Sequence, residues 1–241
     1  MSTRTGFGLV ELFDDFLLSA DLTGWNDNTE NSGTAAQFVN REDGWLELTT
    51  GTTSGNRSQV TGERVWRAES GGPLVFEAGV TFITDTTEKG MFIGWTDVTT
   101  IENPIEASGT GDGLTTTASD AVGFMFDEEL TTTDRWFAVG VDSDVDATGS
   151  GVLDATWPRT TPDTSDHCFR IETDTGGDSA FYIDGLNVYR NNAAGWVRSV
   201  YLDASVSADV NLTPTVLVET RETGANTIYC DFIYASKGRN P

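Results

Sequence analysis

Apolar and polar residues alternate along much of this chain, and the period is two. In "LVFEAGVTF" (74–82), Leu74, Phe76, Ala78, Val80 and Phe82 share one face. In "FRIETD" (169–174), Phe169 and Ile171 point one way, Arg170 and Glu172 the other. Val216 and Val218 repeat the pattern in "TVLVET" (215–220). Successive side chains on a strand point to opposite faces, whereas an amphipathic helix repeats its apolar residues every three or four positions. The pattern therefore predicts strands over 37–50, 58–66, 74–84, 89–97, 121–127, 135–144, 167–174, 179–190, 212–221 and 227–237. In "FYIDGLNVYR" (181–190), Asp184-Gly185 suits a two-residue hairpin, because Gly accepts the positive φ that such a turn requires. Phe181, Ile183, Leu186 and Val188 are then expected on one buried face.

Strands at this spacing, with turn residues between them, predict an all-β fold: an antiparallel two-sheet β-sandwich. Two loops are long, 99–120 and 142–166, and long loops in compact domains often bind or assemble. With no internal repeat and no proline-rich hinge, 20–241 reads as one sandwich domain. Residues 1–19 form an N-terminal segment, read either as a first strand that closes the sandwich or as a docking arm.

Composition supports the strand reading. Thr, Gly, Asp, Val and Phe dominate, and the 241 residues include two lysines and three methionines. The formal net charge of −24 repels phosphate backbones and anionic lipid, so neither nucleic acid nor a membrane surface is expected as a partner. No apolar run approaches the length of a spanning helix, and the first residues carry no apolar leader pattern, so no secretory signal is expected. Cys168 and Cys230 both sit in strand runs; free thiols are the expectation and a disulfide the alternative.

Candidate chemistry is sparse, and no catalytic residue is assigned. His167 is the single histidine, which excludes a multi-histidine metal site, and it reads as a polar residue at a strand edge. A retaining glycosidase needs two carboxyl groups ≈ 5–5.5 Å apart. Asp127, Glu128 and Glu129 are adjacent and split between faces, while Glu42, Asp43 and Glu47 are separated by a Gly turn. Asp142, Asp144 and Asp146 match the first half of a calcium loop, where oxygen ligands alternate. Ala147 and Leu153 replace the Gly and Glu expected further on. The loop reads as solvated and acidic, with no cofactor expected and Ca²⁺ as the alternative. Of seven tryptophans, Trp45, Trp66, Trp95 and Trp136 lie in strand runs and read as core. Trp157 and Trp196 lie in loop-like stretches, where they could stack on sugar.

"LFDDFLL", "VFEAGVTF", "MFIGWTD", "AVGFMFD", "HCFRIETDTGGDSAFYIDGLNVYR" and "LTPTVLVETRETGANTIYCDFIYAS" together resemble the strand series of the concanavalin A-like (laminin-G-like) jelly roll. The resemblance is best from residue 74 to residue 236 and is nearest to the jelly-roll proteins of tailed-bacteriophage virions. It implies a non-enzymatic capsid decoration (cement) protein on the outer surface of a phage head, made in a host cytoplasm. Its partners would be the major capsid protein and copies of itself, for instance in a trimer. Phe7, Leu9, Leu12 and Phe13 would then be the assembly contacts, unless they simply begin the first strand. The alternative is a carbohydrate-binding module of a virion tail or fibre or of a secreted protein. A second alternative is a polysaccharide-cleaving enzyme.

Overall fold

The computed structural model describes residues 2–6, 9–16, 22, 24–29, 34–39, 44–69, 71–82, 88–108, 113–130, 135–147, 151–152, 161–187, 190–192, 195–197 and 201–238. Among these residues every regular element is a strand. The first are β1 (Ser2–Gly6), β2 (Leu9–Asp14), β3 (Asn26–Thr29), β4 (Thr34–Val39), β5 (Trp45–Thr49), β6 (Arg57–Thr61), β7 (Leu74–Phe82) and β8 (Lys89–Thr96). Next come β9 (Ile105–Ala107), β10 (Leu114–Thr116), β11 (Ala121–Asp127), β12 (Phe137–Asp142), β13 (Val145–Asp146) and β14 (Gly151–Val152). The last are β15 (His167–Thr173), β16 (Ser179–Ile183), β17 (Leu186–Asn187), β18 (Arg190–Asn192), β19 (Gly195–Val197), β20 (Tyr201–Leu202), β21 (Thr213–Thr220) and β22 (Thr227–Gly238).

Two antiparallel sheets carry the fold. A ten-stranded sheet runs β1-β2-β22-β7-β15-β16-β17, with β20 on β16 and β4 joined through β5 to β22. An eight-stranded sheet runs β13-β12-β11-β8-β21-β6-β3, with β14 on β12. The long last strand organises the larger sheet. Its first half pairs with β5, its second half with β2, and most of its length with β7. The antiparallel pair β1 and β2 thus joins the sheet beside the last strand, with β1 at the edge.

The sheets face one another across aromatic contacts. Phe76 of β7 meets Trp95 of β8 with ring centroids 5.8 Å apart. Phe124 of β11 lies 5.1 Å from Phe169 of β15 and 5.2 Å from Phe181 of β16, both edge-on. Leu74, Phe76 and Ala78 of the alternating segment are fully buried, as are Ile171, Val216 and Val218. Each large apolar side chain so buried contributes roughly 1.5–3 kcal/mol, and this shared interior fixes the strand registers.

Three local expectations change. Leu186 is 44% exposed, although it pairs with buried Ile183, because the hairpin tip runs past the edge of the core; Val188 lies outside the described residues. The 99–120 loop contains the β9–β10 hairpin, whose Ile105, Ala107 and Leu114 pack with Phe92, Met125 and Leu217 on the outer face of the eight-stranded sheet. The 142–166 loop contributes β13 and β14 to that sheet's edge. Strands of two or three residues in a Thr- and Gly-rich context are too short for alternation to reveal.

Candidate functional site

The outer face of the ten-stranded sheet is built by the polar half of the alternating pattern. Cys168, Arg170 and Glu172 of β15 are half-buried there, while the residues between them are buried in the core. Val75 and Glu77 of β7, Tyr182 of β16, and Trp45, Glu47 and Thr49 of β5 take the same side. On β2, Leu9, Glu11 and Phe13 alternate with the more buried Val10, Leu12 and Asp14.

One extra residue in β22 redirects this face. Pairing with β7 shifts register between Cys230 and Phe232, which is a β-bulge. Simple alternation from buried Cys230 would send Phe232 inward, but the bulge places both Asp231 and Phe232 above Gly79. A Cβ at Gly79 would come within 2.9 Å of the Phe232 ring and 3.1 Å of the Asp231 Cβ. Glycine is therefore what leaves room for the Phe232 ring over β7. Beyond the bulge Tyr234 follows on the outer face and Ile233 and Ala235 return to the core.

The register lines these residues up across five strands: Phe13, Tyr234, Glu77, Arg170 and Tyr182 are consecutive cross-strand partners. Phe13 is 42% exposed, and its ring centroid is 6.2 Å from that of Phe232. Trp45 and Tyr229 stand edge to face with centroids 6.0 Å apart. Trp45 was expected in the core; it is half-buried because it falls on the outward phase of β5.

Between the rings runs a hydrogen-bonded charge chain. The Arg170 guanidinium donates to Glu77 Oε1 through Nη1 at 2.5 Å. It also donates to Glu172 Oε1 through Nε at 2.8 Å and Nη2 at 2.5 Å. The Tyr182 hydroxyl donates to Glu172 Oε2 at 3.4 Å, and the Tyr234 hydroxyl to Glu11 Oε1 at 3.0 Å. Burial alone would lower the Arg170 pKa, but the bonds and charges of Glu77 and Glu172 outweigh it and raise it. Burial raises the Tyr234 phenol too, helped by the charges of Glu11 and Glu77 and opposed by a bond with Ser236. Partly exposed rings between fixed hydrogen-bonding groups can take a ligand that has both apolar faces and hydroxyl edges.

The opposite surface of the sandwich is closed. On the outer face of the eight-stranded sheet, Asp127 is buried and receives bonds from the Ala107 and Glu129 amides at 2.9 and 3.1 Å and from Arg221. Arg221 also binds Glu219 and Glu106, and Asn103 donates to Glu219 at 3.1 Å. Glu128 accepts the Glu88 amide. Burial raises the Glu128 pKa most, the Glu88 amide opposes this, and Glu222, Glu88 and Asp127 add to it. The Glu129 carboxyl is also raised, first by burial and against the pull of Arg221. This cluster is a buried ion network in which both Arg221 Nη atoms are held by carboxylates. Glu47 lies on the other sheet, and Glu42 and Asp43 lie outside the described residues.

The remaining candidates are dispersed. His167 begins β15 and is 8% exposed; its Nδ1 is 2.9 Å from Asp184 Oδ2 and its Nε2 is 3.1 Å from Asp163 Oδ1, so it ties the preceding loop to the hairpin turn. Asp142 ends β12 and Asp144 lies in the β12–β13 turn, where Ser143 and Asp144 have φ of 52° and 65°. Asp142 accepts the Ser143 and Ser207 hydroxyls, Asp144 accepts the Ser119 hydroxyl at 2.7 Å, and Asp146 is exposed. Among the described residues, no group of three or more acidic, His or Cys side chains could hold a metal ion. Cys168 and Cys230 are free thiols. Leu9 and Phe13 are exposed and Leu12 is buried in the core; Phe7 and Trp157 lie outside the described residues, and Trp196 is placed on β19.

No family model matches the chain, and no curated protein does. Solved structures share its fold. A Shewanella oneidensis MR-1 protein of unknown function superposes with a TM-score of 0.65 at 11% identity, over 99% of this chain and 90% of that one. The CBM2 module of the evolved Dit of Lactobacillus casei BL23 phage J-1 gives 0.53 at 13% identity, over 97% and 98%. The carbohydrate recognition domain of Emp47p gives 0.55 at 6% identity, over 95% of each chain. At these identities the likeness is one of fold: the chain is an all-β antiparallel sandwich.

Proposed function

We propose that this chain is a carbohydrate-binding module with a concanavalin A-like fold, carried by a phage tail or fibre or by a secreted protein, and that it binds without catalysis. The observation that carries this reading is the outer face of the ten-stranded sheet, where Phe13, Phe232, Tyr234, Tyr182, Trp45 and Tyr229 frame the Glu77–Arg170–Glu172 chain. A sugar ring has one face of C–H bonds and an edge of hydroxyls. It needs an aromatic surface for the first and fixed acceptors and donors for the second. Support comes also from neighbours in fold: a phage carbohydrate-binding module and a carbohydrate recognition domain. Fold alone does not assign function, so the weight rests on the site.

The capsid-decoration expectation draws on Leu9 and Phe13, two exposed apolar side chains on one edge strand. Phe13 belongs equally to the aromatic row, and nothing in the fold identifies a shell as its partner. A glycan array followed by calorimetry tests the proposal. Binding is expected to weaken at least about tenfold in Trp45→Ala and in Tyr182→Ala, the loss of about 1.4 kcal/mol of ring contact. Absence of binding to every glycan at millimolar concentration overturns it.

A further inference from the structure

Charge on the same face identifies the class of glycan. Among its described side chains, Glu11, Glu47, Glu77, Glu172 and Asp231 are set against one guanidinium, that of Arg170. Lys237 falls on the opposite phase of β22, opposite buried Leu74. Arg170 is already held by Glu77 and Glu172 through three bonds. An anionic ligand would have to break that fork before reaching the guanidinium, and would approach the carboxylates of Glu77 and Glu172 that hold it. Hydroxyl and amine donors face no such barrier. The carboxylates present more lone pairs than Arg170, Tyr182 and Tyr234 occupy, since each carboxylate accepts at about four positions.

Resting on the glycan reading above, we propose that this face selects uncharged or amine-bearing glycans and rejects acidic ones, such as uronate or sulfated polymers. Attraction of an amine-bearing chain would be electrostatic and would weaken as salt rises, while contact with an uncharged chain would hold. The rejection is local to the face and distinct from the acidity of the whole chain. It disappears when the carboxylates that clamp Arg170 are neutralised.

Affinity electrophoresis of the full chain through gels containing a neutral β-glucan, chitosan or alginate provides the test. Retardation by the neutral glucan or by chitosan, and none by alginate, is the expected result. In Glu77→Gln/Glu172→Gln the released guanidinium should create retardation on alginate, with affinity up by about threefold to tenfold. Glu63→Gln/Glu102→Gln removes the same charge from exposed positions elsewhere and should leave alginate excluded. Circular dichroism confirms that each variant is folded. Retardation of the parent chain by alginate overturns the selectivity and leaves glycan binding standing. Equal behaviour of the two double variants on alginate also overturns it, since exclusion would then come from total charge. Retardation by none of the polymers, with none on the array, overturns the glycan reading and the selectivity together.

Discussion

Replacing Arg221 with methionine should cost more stability than any surface change in this protein. The Arg221 side chain is 7% exposed, and it sits between Asp127, Glu219 and Glu106, whose side chains are 0%, 1% and 23% exposed. Burial alone would lower the Arg221 pKa, but the three carboxylates overcome this and raise it, so the guanidinium stays charged. Methionine fills the space of the Arg stem and removes the charge. Glu219 keeps Arg57 at 3.2 Å and Asn103 at 3.1 Å, whereas Asp127 keeps two backbone amides and loses the guanidinium facing it. Stranding one partner of a buried pair costs about 3–5 kcal/mol. For a chain of this size that is about 2 °C of melting temperature per kcal/mol, hence a drop of about 6–10 °C. Thermal unfolding followed by circular dichroism measures it. Asp127→Asn in the Arg221→Met background should recover part of the loss, because a neutral amide at that site needs no counter-charge. A melting temperature for Arg221→Met within about 2 °C of the parent, or no recovery in the double variant, would show that water reaches the cluster and that the argument from burial is wrong.

Other consequences follow from single environments. Thr215 is fully buried and its Oγ1 has no partner among the described residues, so Thr215→Val should stabilise the fold by about 1 kcal/mol; a loss of stability would show that the hydroxyl is bonded. Burial, then Glu77 and Asp184, push the Cys168 thiol up to about 11, and burial pushes Cys230 well up, so iodoacetamide at pH 8 should label neither until the chain is unfolded in urea. Burial would raise the Asp163 carboxyl, but the Ser165 amide and hydroxyl and the His167 ring hold it below its ordinary value. A lowered folded value gives stability that is present above the unfolded pKa and lost as pH falls through the folded one, so Asp163→Asn should flatten the acid end of a stability titration. An unchanged acid limb would refute that.

The alternating segments revealed the sandwich because each has one phase that must be buried. Leu74, Phe76 and Ala78, or Phe169 and Ile171, have no other place to go, and their strands lie close to where the pattern put them. Asp184 and Gly185 adopt φ of 52° and 73°, the positive pair that the hairpin requires. The candidate site was harder to read, for the same reason. Its residues occupy the polar phase, where alternation says only that a side chain points away from the core. Tryptophan in a strand is usually core, but Trp45 falls on the outward phase of β5 and is half-buried. Phe232 was hidden more thoroughly. Its exposure depends on a one-residue bulge opposite Gly79, and a bulge leaves no periodic trace in a single strand.

The contrast between the two outer faces explains why one is the stronger candidate. Each carries carboxylates and arginine on neighbouring strands. On the eight-stranded sheet the β9–β10 hairpin covers much of the outer face, and Asp127, Glu219 and Arg221 are buried together with their partners. A ligand there would have to displace apolar packing and a desolvated ion network at once. On the ten-stranded sheet, Arg170 is 34% exposed, Glu77 25% and Glu172 36%, with partly exposed rings on both sides. Solvent already reaches those groups, so a ligand there would replace water without the fold opening. Recognition by differently exposed copies of the same chemistry is therefore a matter of which face the chain leaves uncovered, and here the bulged last strand and its neighbours leave the aromatic one open.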